Sequence, residues 1–148
     1  MFDEYAVLEE LERREPIFHR REFGITREDF DRLTDVGFCE VGASGRRYDR
    51  EHVWAVLEKR YASDPTGQLD VDWTASEFEL REIASNTYLL TYILEQGGRS
   101  TRRMTLWQRR AGDWKILYHQ GTHVSDTTPH RLVLEARIVK QHNSFRLN

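Results

Sequence analysis

Four strand-like stretches, at residues 76–83, 88–94, 101–109 and 114–122, follow one another across links of a few residues each. The links carry turn formers: Ser85-Asn86, Gln96-Gly97-Gly98-Arg99 and Arg110-Ala111-Gly112-Asp113. A parallel crossover takes a dozen or more residues, so these links close antiparallel hairpins and the stretches make a meander. Such a sheet has an apolar face to bury, and the rest of the chain must supply the cover.

That cover comes first in the sequence. Residues 3–14 place Tyr5, Leu8 and Leu11 on one stripe among Glu9, Glu10, Glu12, Arg13 and Arg14, the spacing of an amphipathic helix. Pro16 removes a backbone donor and forces Glu15 out of the α region, which ends or kinks this helix before Ile17 and Phe18. Beyond Gly24, Thr26 is placed to cap a short second helix with Glu28 and Asp29 in its first turn and Phe30 and Leu33 inward. Residues 36–41 then alternate with period two, Phe38 and Glu40 on one face and Cys39 and Val41 on the other, which is a strand. Gly42-Ala43-Ser44-Gly45 reverses the chain into a short second strand at 46–48. Asp49 caps a third helix with Val53, Leu57 and Tyr61 as its stripe, widened by Trp54, until Asp64-Pro65-Thr66-Gly67 stops it. The expected class is α+β, a few helices packed on a strongly curved antiparallel sheet, as one domain over residues 1–124. In the tail, 125–148, Thr128 and Pro129 would open a last helix carrying Leu132, Leu134, Ile138 and Val139; the alternative is a fraying end.

Charge and cysteine content exclude several function classes. With 22 Lys and Arg against 25 Asp and Glu, the net charge of −3 leaves no electrostatic footprint for nucleic acid. A single cysteine, Cys39, builds neither a disulfide framework nor a thiolate zinc cluster and fits a reducing cytoplasm. Residues 1–10 carry acids where a secretory signal needs bases, and no apolar run approaches the roughly 20 residues of a membrane span. A cytoplasmic protein without nucleic-acid or membrane partners is expected. The six histidines lack metal-ligand spacing, and Gly42-x-x-Gly45 is a hairpin turn with no basic helix start after it, so neither a metal nor a cofactor is expected.

Particular residues stand in this order of elements: Leu8-Glu9-Glu10-Leu11; Phe38-Cys39-Glu40-Val41-Gly42-Ala43-Ser44-Gly45 running into Tyr48-Asp49; Leu106-Trp107 before Gly112-Asp113-Trp114-Lys115-Ile116; and a closing His119-Gln120-Gly121-Thr122. Over residues 3–124 the chain thereby resembles the nuclear transport factor 2-like superfamily, and within it the small bacterial relatives of SnoaL-like cyclases and ketosteroid isomerase. The resemblance implies a cone of bent sheet wrapped around N-terminal helices, a cystatin-like roll, with a pocket at its wide end and commonly a homodimer. Ketosteroid isomerase holds a carboxylate base and a Tyr/acid pair in that pocket. No matching triad can be placed on this sequence, so the resemblance implies a fold and not a reaction.

Strand parity selects the candidate site residues. In the last strand Trp114, Ile116, Tyr118, Gln120 and Thr122 share one face and Lys115, Leu117, His119, Gly121 and His123 the other. If Lys115 is exposed, the first set points into the cone, and Tyr118, Gln120 and Thr122 bring polar groups into an apolar wall as ligand-binding residues. Gln120 alternatively pairs with backbone at a strand end. Glu40 follows Phe38 inward, where desolvation would raise its pKa and make it a general base; otherwise it holds Arg46, Arg47 or Arg103 in an ion pair. His119 is the second catalytic candidate. Parity sets it on the convex face, and a β-bulge would reverse that and make it a pocket base. Tyr48 is expected near the rim with its hydroxyl available to a ligand.

Two functions fit: a module that binds a small, largely apolar molecule without turnover, or a cofactorless acid/base enzyme, an isomerase, cyclase or hydrolase, acting on one. In residues 88–94 both alternating sets are largely apolar, and the convex face would also display Trp107 and Leu117, so a homodimer built on that face is expected.

Overall fold

The computed structural model describes residues 3–69 and 71–125. The tail helix expected from Thr128 lies outside the described residues. Helix α1 (Glu4–Glu12) is capped by Asp3, whose side chain accepts from the Tyr5 amide. It buries Val7 and Leu11, whereas Tyr5, expected on the same stripe, is 82% exposed. The buried stripe runs through positions 7 and 11, and Tyr5 lies on the opposite side of the helix from Val7. Two single turns of 3-10 helix, Ile17–His19 and Arg21–Phe23, follow. Helix α2 (Arg27–Leu33) opens with a reciprocal capping box between Thr26 and Asp29 and buries Phe30 and Leu33, as its sequence demands.

Strand β1 (Thr34–Val41) turns back into β2 (Arg47–Asp49), and Asp49 caps α3 (Arg50–Ser63) through the His52 amide. The four long strands are β3 (Trp73–Ala84), β4 (Thr87–Gln96), β5 (Arg99–Arg110) and β6 (Asp113–His123). They form the expected antiparallel meander, and β1 joins its free edge parallel to β6, giving one sheet in the order β2-β1-β6-β5-β4-β3. Register shifts interrupt β3 twice, β1 once and the β5–β6 pair once. Bulges of this kind bend the bulged strand and increase its twist, which curls the sheet around α1, α2 and α3.

The core sits on the inner face of this curve. Tyr88, Leu90, Tyr92 and Leu94 of β4 meet Trp107, Trp114 and Ile116, and Val7, Leu11, Phe30, Phe38, Val53 and Leu57 close over them. Trp107 is therefore inside, fully buried and edge-on to Trp114 at 6.4 Å, and not on the convex face as expected. Its strand alternates with Arg103 and Thr105 on the side that faces Tyr88 and Leu90 of β4, which sets its direction. Among the described residues no helix is long and apolar enough to cross a membrane.

Candidate functional site

The register of β6 assembles the site. Trp114 and Ile116 are buried as parity requires, and Lys115 donates to the Asp31 and Arg32 carbonyls at the end of α2. Trp107 pairs with Ile116 but Leu106 pairs with Tyr118, so Leu117 is the extra residue of a bulge. Alternation restarts beyond it with the opposite sense. His119 faces inward across from Thr105, and Gly121 follows it. Tyr118, Gln120 and Thr122, expected in the pocket, do not line it: the Tyr118 hydroxyl donates to Gln120 Oε1 at 2.6 Å, and Thr122 is exposed. The one-residue insertion moves every side chain past it to the other face.

Inside the curve lies a cavity of about 390 Å³ between the Glu15–His19 segment, α3, the β1–β2 hairpin and the inner face of β4, β5 and β6. Ile17, Phe18, Val53, Leu57 and Ile116 supply apolar wall, and Glu40, His119, Arg103 and Arg60 supply polar groups. Glu40 points in with Phe38, as parity indicated. Tyr48 also lines the cavity, half-buried and stacked on His52 at 4.8 Å. The expected ion pair between Glu40 and an arginine is replaced by another contact: Glu40 Oε1 lies 3.9 Å from His119 Nε2, its register neighbour across the β1–β6 pair.

A buried hydrogen-bond chain stands behind His119. Its Nδ1 lies 2.8 Å from Thr105 Oγ1, and Arg103 Nη1 approaches Nε2 at 3.4 Å. A guanidinium only donates, so Nε2 accepts and the ring proton is assigned to Nδ1, which donates to Thr105. The Thr105 hydroxyl in turn donates to the carboxylate of Glu15. Glu15 is 1% exposed and also accepts from the Ile17 amide at 3.1 Å, the Tyr92 hydroxyl at 3.0 Å and Trp107 Nε1 at 3.1 Å.

Burial dominates the electrostatics. It pushes the Glu15 carboxyl up although four donors pull it down, and it pushes the Tyr92 hydroxyl well up, with Glu15 adding to the effect. Burial also raises Glu40, against the guanidinium charges of Arg103 and Arg60. His119 is driven down to about 3 by burial and then by Arg103, so its ring is neutral throughout the physiological range. Glu40 is thus the group best placed to exchange a proton with a molecule in the cavity, and His119 is a neutral hydrogen-bonding neighbour. Among the described residues no group of three His, Cys, Asp or Glu side chains is arranged to hold a metal ion.

Glu15 and Thr105 escape a sequence reading. Glu15 ends the charged run Glu12-Arg13-Arg14-Glu15, which reads as a solvated helix face, and its side-chain partners Tyr92 and Trp107 are 77 and 92 residues away. The one local signal is Pro16, which turns the chain out of α1 just where Glu15 must point inward.

No protein-family model matches this chain, and no curated protein matches it. Solved structures do. A nuclear transport factor 2-like protein from Cytophaga hutchinsonii superposes with a TM-score of 0.61 at 13% identity, covering 84% of this chain and 100% of that one. Another, of unknown function, from Pseudomonas aeruginosa reaches 0.59 at 14% identity, covering 81% and 99%. A protein with a cystatin-like fold from Caulobacter vibrioides reaches 0.50 at 16% identity, covering 76% and 83%. The chain has the α+β fold of these proteins, a curved open sheet over helices.

Proposed function

We propose, on the premise that this chain has the nuclear transport factor 2-like fold, that it is a small-molecule-binding domain whose ligand occupies the cavity between α3 and the sheet. The observation that carries the reading is the cavity itself: about 390 Å³, walled by Ile17, Phe18, Leu57 and Ile116 and furnished with Glu40, His119 and Arg103. Convergent polar groups set against an apolar wall in one recess are what orient a small ligand. An isotope-labelled chain titrated with mixtures of small aromatic and aliphatic compounds tests it. Resonance shifts clustered on Glu40, His119, Leu57 and Ile116 support the reading, and an unresponsive cavity overturns it.

A second reading, acid/base turnover of the bound molecule, is favoured by the approach of Glu40 to His119 in that cavity and by the burial that raises Glu40. Here Glu40 moves the proton. Glu40→Gln keeps the shape and removes the charge, so turnover should fall by about 10²–10⁴ while the melting temperature changes little. A large loss of stability with unchanged binding and rate would return Glu40 to a structural role.

The working form proposed is a cytoplasmic homodimer. The sheet face turned away from the helices carries half-buried Leu89, Met104, Leu106 and Leu117, an apolar strip of the kind that interfaces cover. Sedimentation at micromolar concentration should give twice 17.6 kDa, and a monomer would refute the dimer.

A further inference from the structure

Several arginines of this protein are already paired with carboxylates. Arg109 pairs with Glu10 at 2.8 Å, Arg50 with Asp31 at 3.0 Å, Arg21 with Asp64 at 3.5 Å and Arg110 with Asp35 at 2.6 Å. Two half-buried arginines that face the cavity differ. Arg103 donates from Nε to Thr101 Oγ1 at 3.0 Å and from Nη1 to His119 Nε2 at 3.4 Å, and Arg60 donates to the Phe18 carbonyl at 3.4 Å. These partners are neutral, and among the described residues neither arginine has a carboxylate within the 4.0 Å of an ion pair. Glu40, in the same cavity, feels both charges but makes its contact with His119. Two guanidinium groups held half-desolvated beside apolar wall favour an anion supplied from outside.

We propose that the cavity takes a small organic carboxylate, with its anionic group held by Arg103 and Arg60 and its apolar body against Ile17, Phe18, Leu57 and Ile116. The inference rests on the reading above that this cavity binds small molecules, and it names the chemical class. It carries a proton consequence. The groups facing Glu40 across the cavity are Arg60 and His52 of α3, Arg103 of β5, His119 of β6, Tyr92 of β4, Arg46 and Tyr48 of the hairpin, and Glu15 and His19 of the segment before α2. A ligand carboxylate added to this set stands beside Glu40, and two carboxylates that close do not both stay ionised. Binding therefore takes up a proton at Glu40, whose carboxyl burial already biases that way.

The test titrates the full chain by calorimetry with phenylacetate and 3-phenylpropionate, and with the matched amides and alcohols. The acids should bind at least tenfold more tightly than their amides. Arg103→Gln and, separately, Arg60→Gln should weaken acid binding by about tenfold to a hundredfold more than they weaken amide binding, the worth of a charge-assisted hydrogen bond. Proton uptake, read from two buffers of different ionisation heat, should accompany acid binding and disappear in Glu40→Gln. Equal affinity for acid and amide in the wild-type chain would overturn the carboxylate assignment and leave the cavity reading standing. Failure of every probe to bind would overturn both. Because the wild-type comparison needs no variant, an unstable Arg103→Gln leaves the proposal decidable.

Discussion

Replacing Glu15 with alanine should lower folding stability by about 4 kcal/mol, because several buried donors lose their acceptor together and each costs about 1–3 kcal/mol when left unsatisfied. The Tyr92 hydroxyl, Trp107 Nε1, the Ile17 amide and the Thr105 hydroxyl all converge on this one carboxylate. Typical domains have about 5–15 kcal/mol in hand, so the loss takes a large share of the total. Glu15→Gln should cost less. Its amide oxygen still accepts from part of the set, but its NH₂ group faces donors and cannot serve the rest. Denaturant midpoints compared with unchanged m-values would measure both variants, and an alanine variant within 1 kcal/mol of the wild type would contradict the assigned role. The same variant tests the chain behind His119. With Glu15 gone the Thr105 hydroxyl loses its acceptor, but Arg103 still donates to Nε2, so the Nδ1–H tautomer of His119 should persist in the nitrogen chemical shifts.

Acid should expose His119. Its folded-state pKa of about 3 lies well below the unfolded value of 6.5, so below pH 6.5 the unfolded chain binds a proton that the folded chain refuses. The neutral ring's contribution is complete above that value. It is lost as pH falls, at about 1.4 kcal/mol per unit until the folded pKa is reached. Glu15 and Glu40 act with the opposite sign: both are raised, the folded chain holds their protons longer, and their contribution grows as pH falls toward the ordinary carboxyl range. The difference between the wild type and His119→Asn, whose amide still donates to Thr105, isolates the imidazole. Between pH 7 and pH 4.5 the wild type should lose about 2–3 kcal/mol more than the variant, and parallel curves would show that His119 is not buried in its neutral form.

The caps, the turns and the alternation of residues made much of this architecture legible in advance. Thr26 and Asp49 start their helices because a hydroxyl or carboxylate must satisfy the first free amides, a requirement met within a few residues of sequence. Asn86 at φ 55° and Gly112 at φ 78° close hairpins because those backbone angles select their residue types, again locally. Glu40 could be placed inward because it is two residues from Phe38, a buried core residue of the same strand. Local rules of this kind hold wherever period and cap are undisturbed.

The site's final composition was decided by events with no local signature. Parity through residues 114–122 assigned Tyr118, Gln120 and Thr122 to the pocket, and the bulge at Leu117 exchanged them for His119 and Gly121. Neither β5 nor β6 announces that bulge, which exists only in the register of one strand against the other. Trp107 went inward for the same class of reason, its direction set by register with Tyr88 across the β4–β5 pair. Glu15 and Arg103 show the limit most clearly. One reads as part of a charged helix end and the other as one arginine among many, and each acquires its meaning only when folding brings residues 16 to 92 positions apart within 3.4 Å. Sequence determined the elements, their order and the outline of the cone, since propensities, caps and turns act over a few residues. Which polar groups meet in the cavity, and which protonation states they hold there, depends on long-range register and desolvation, and those exist only in the folded chain.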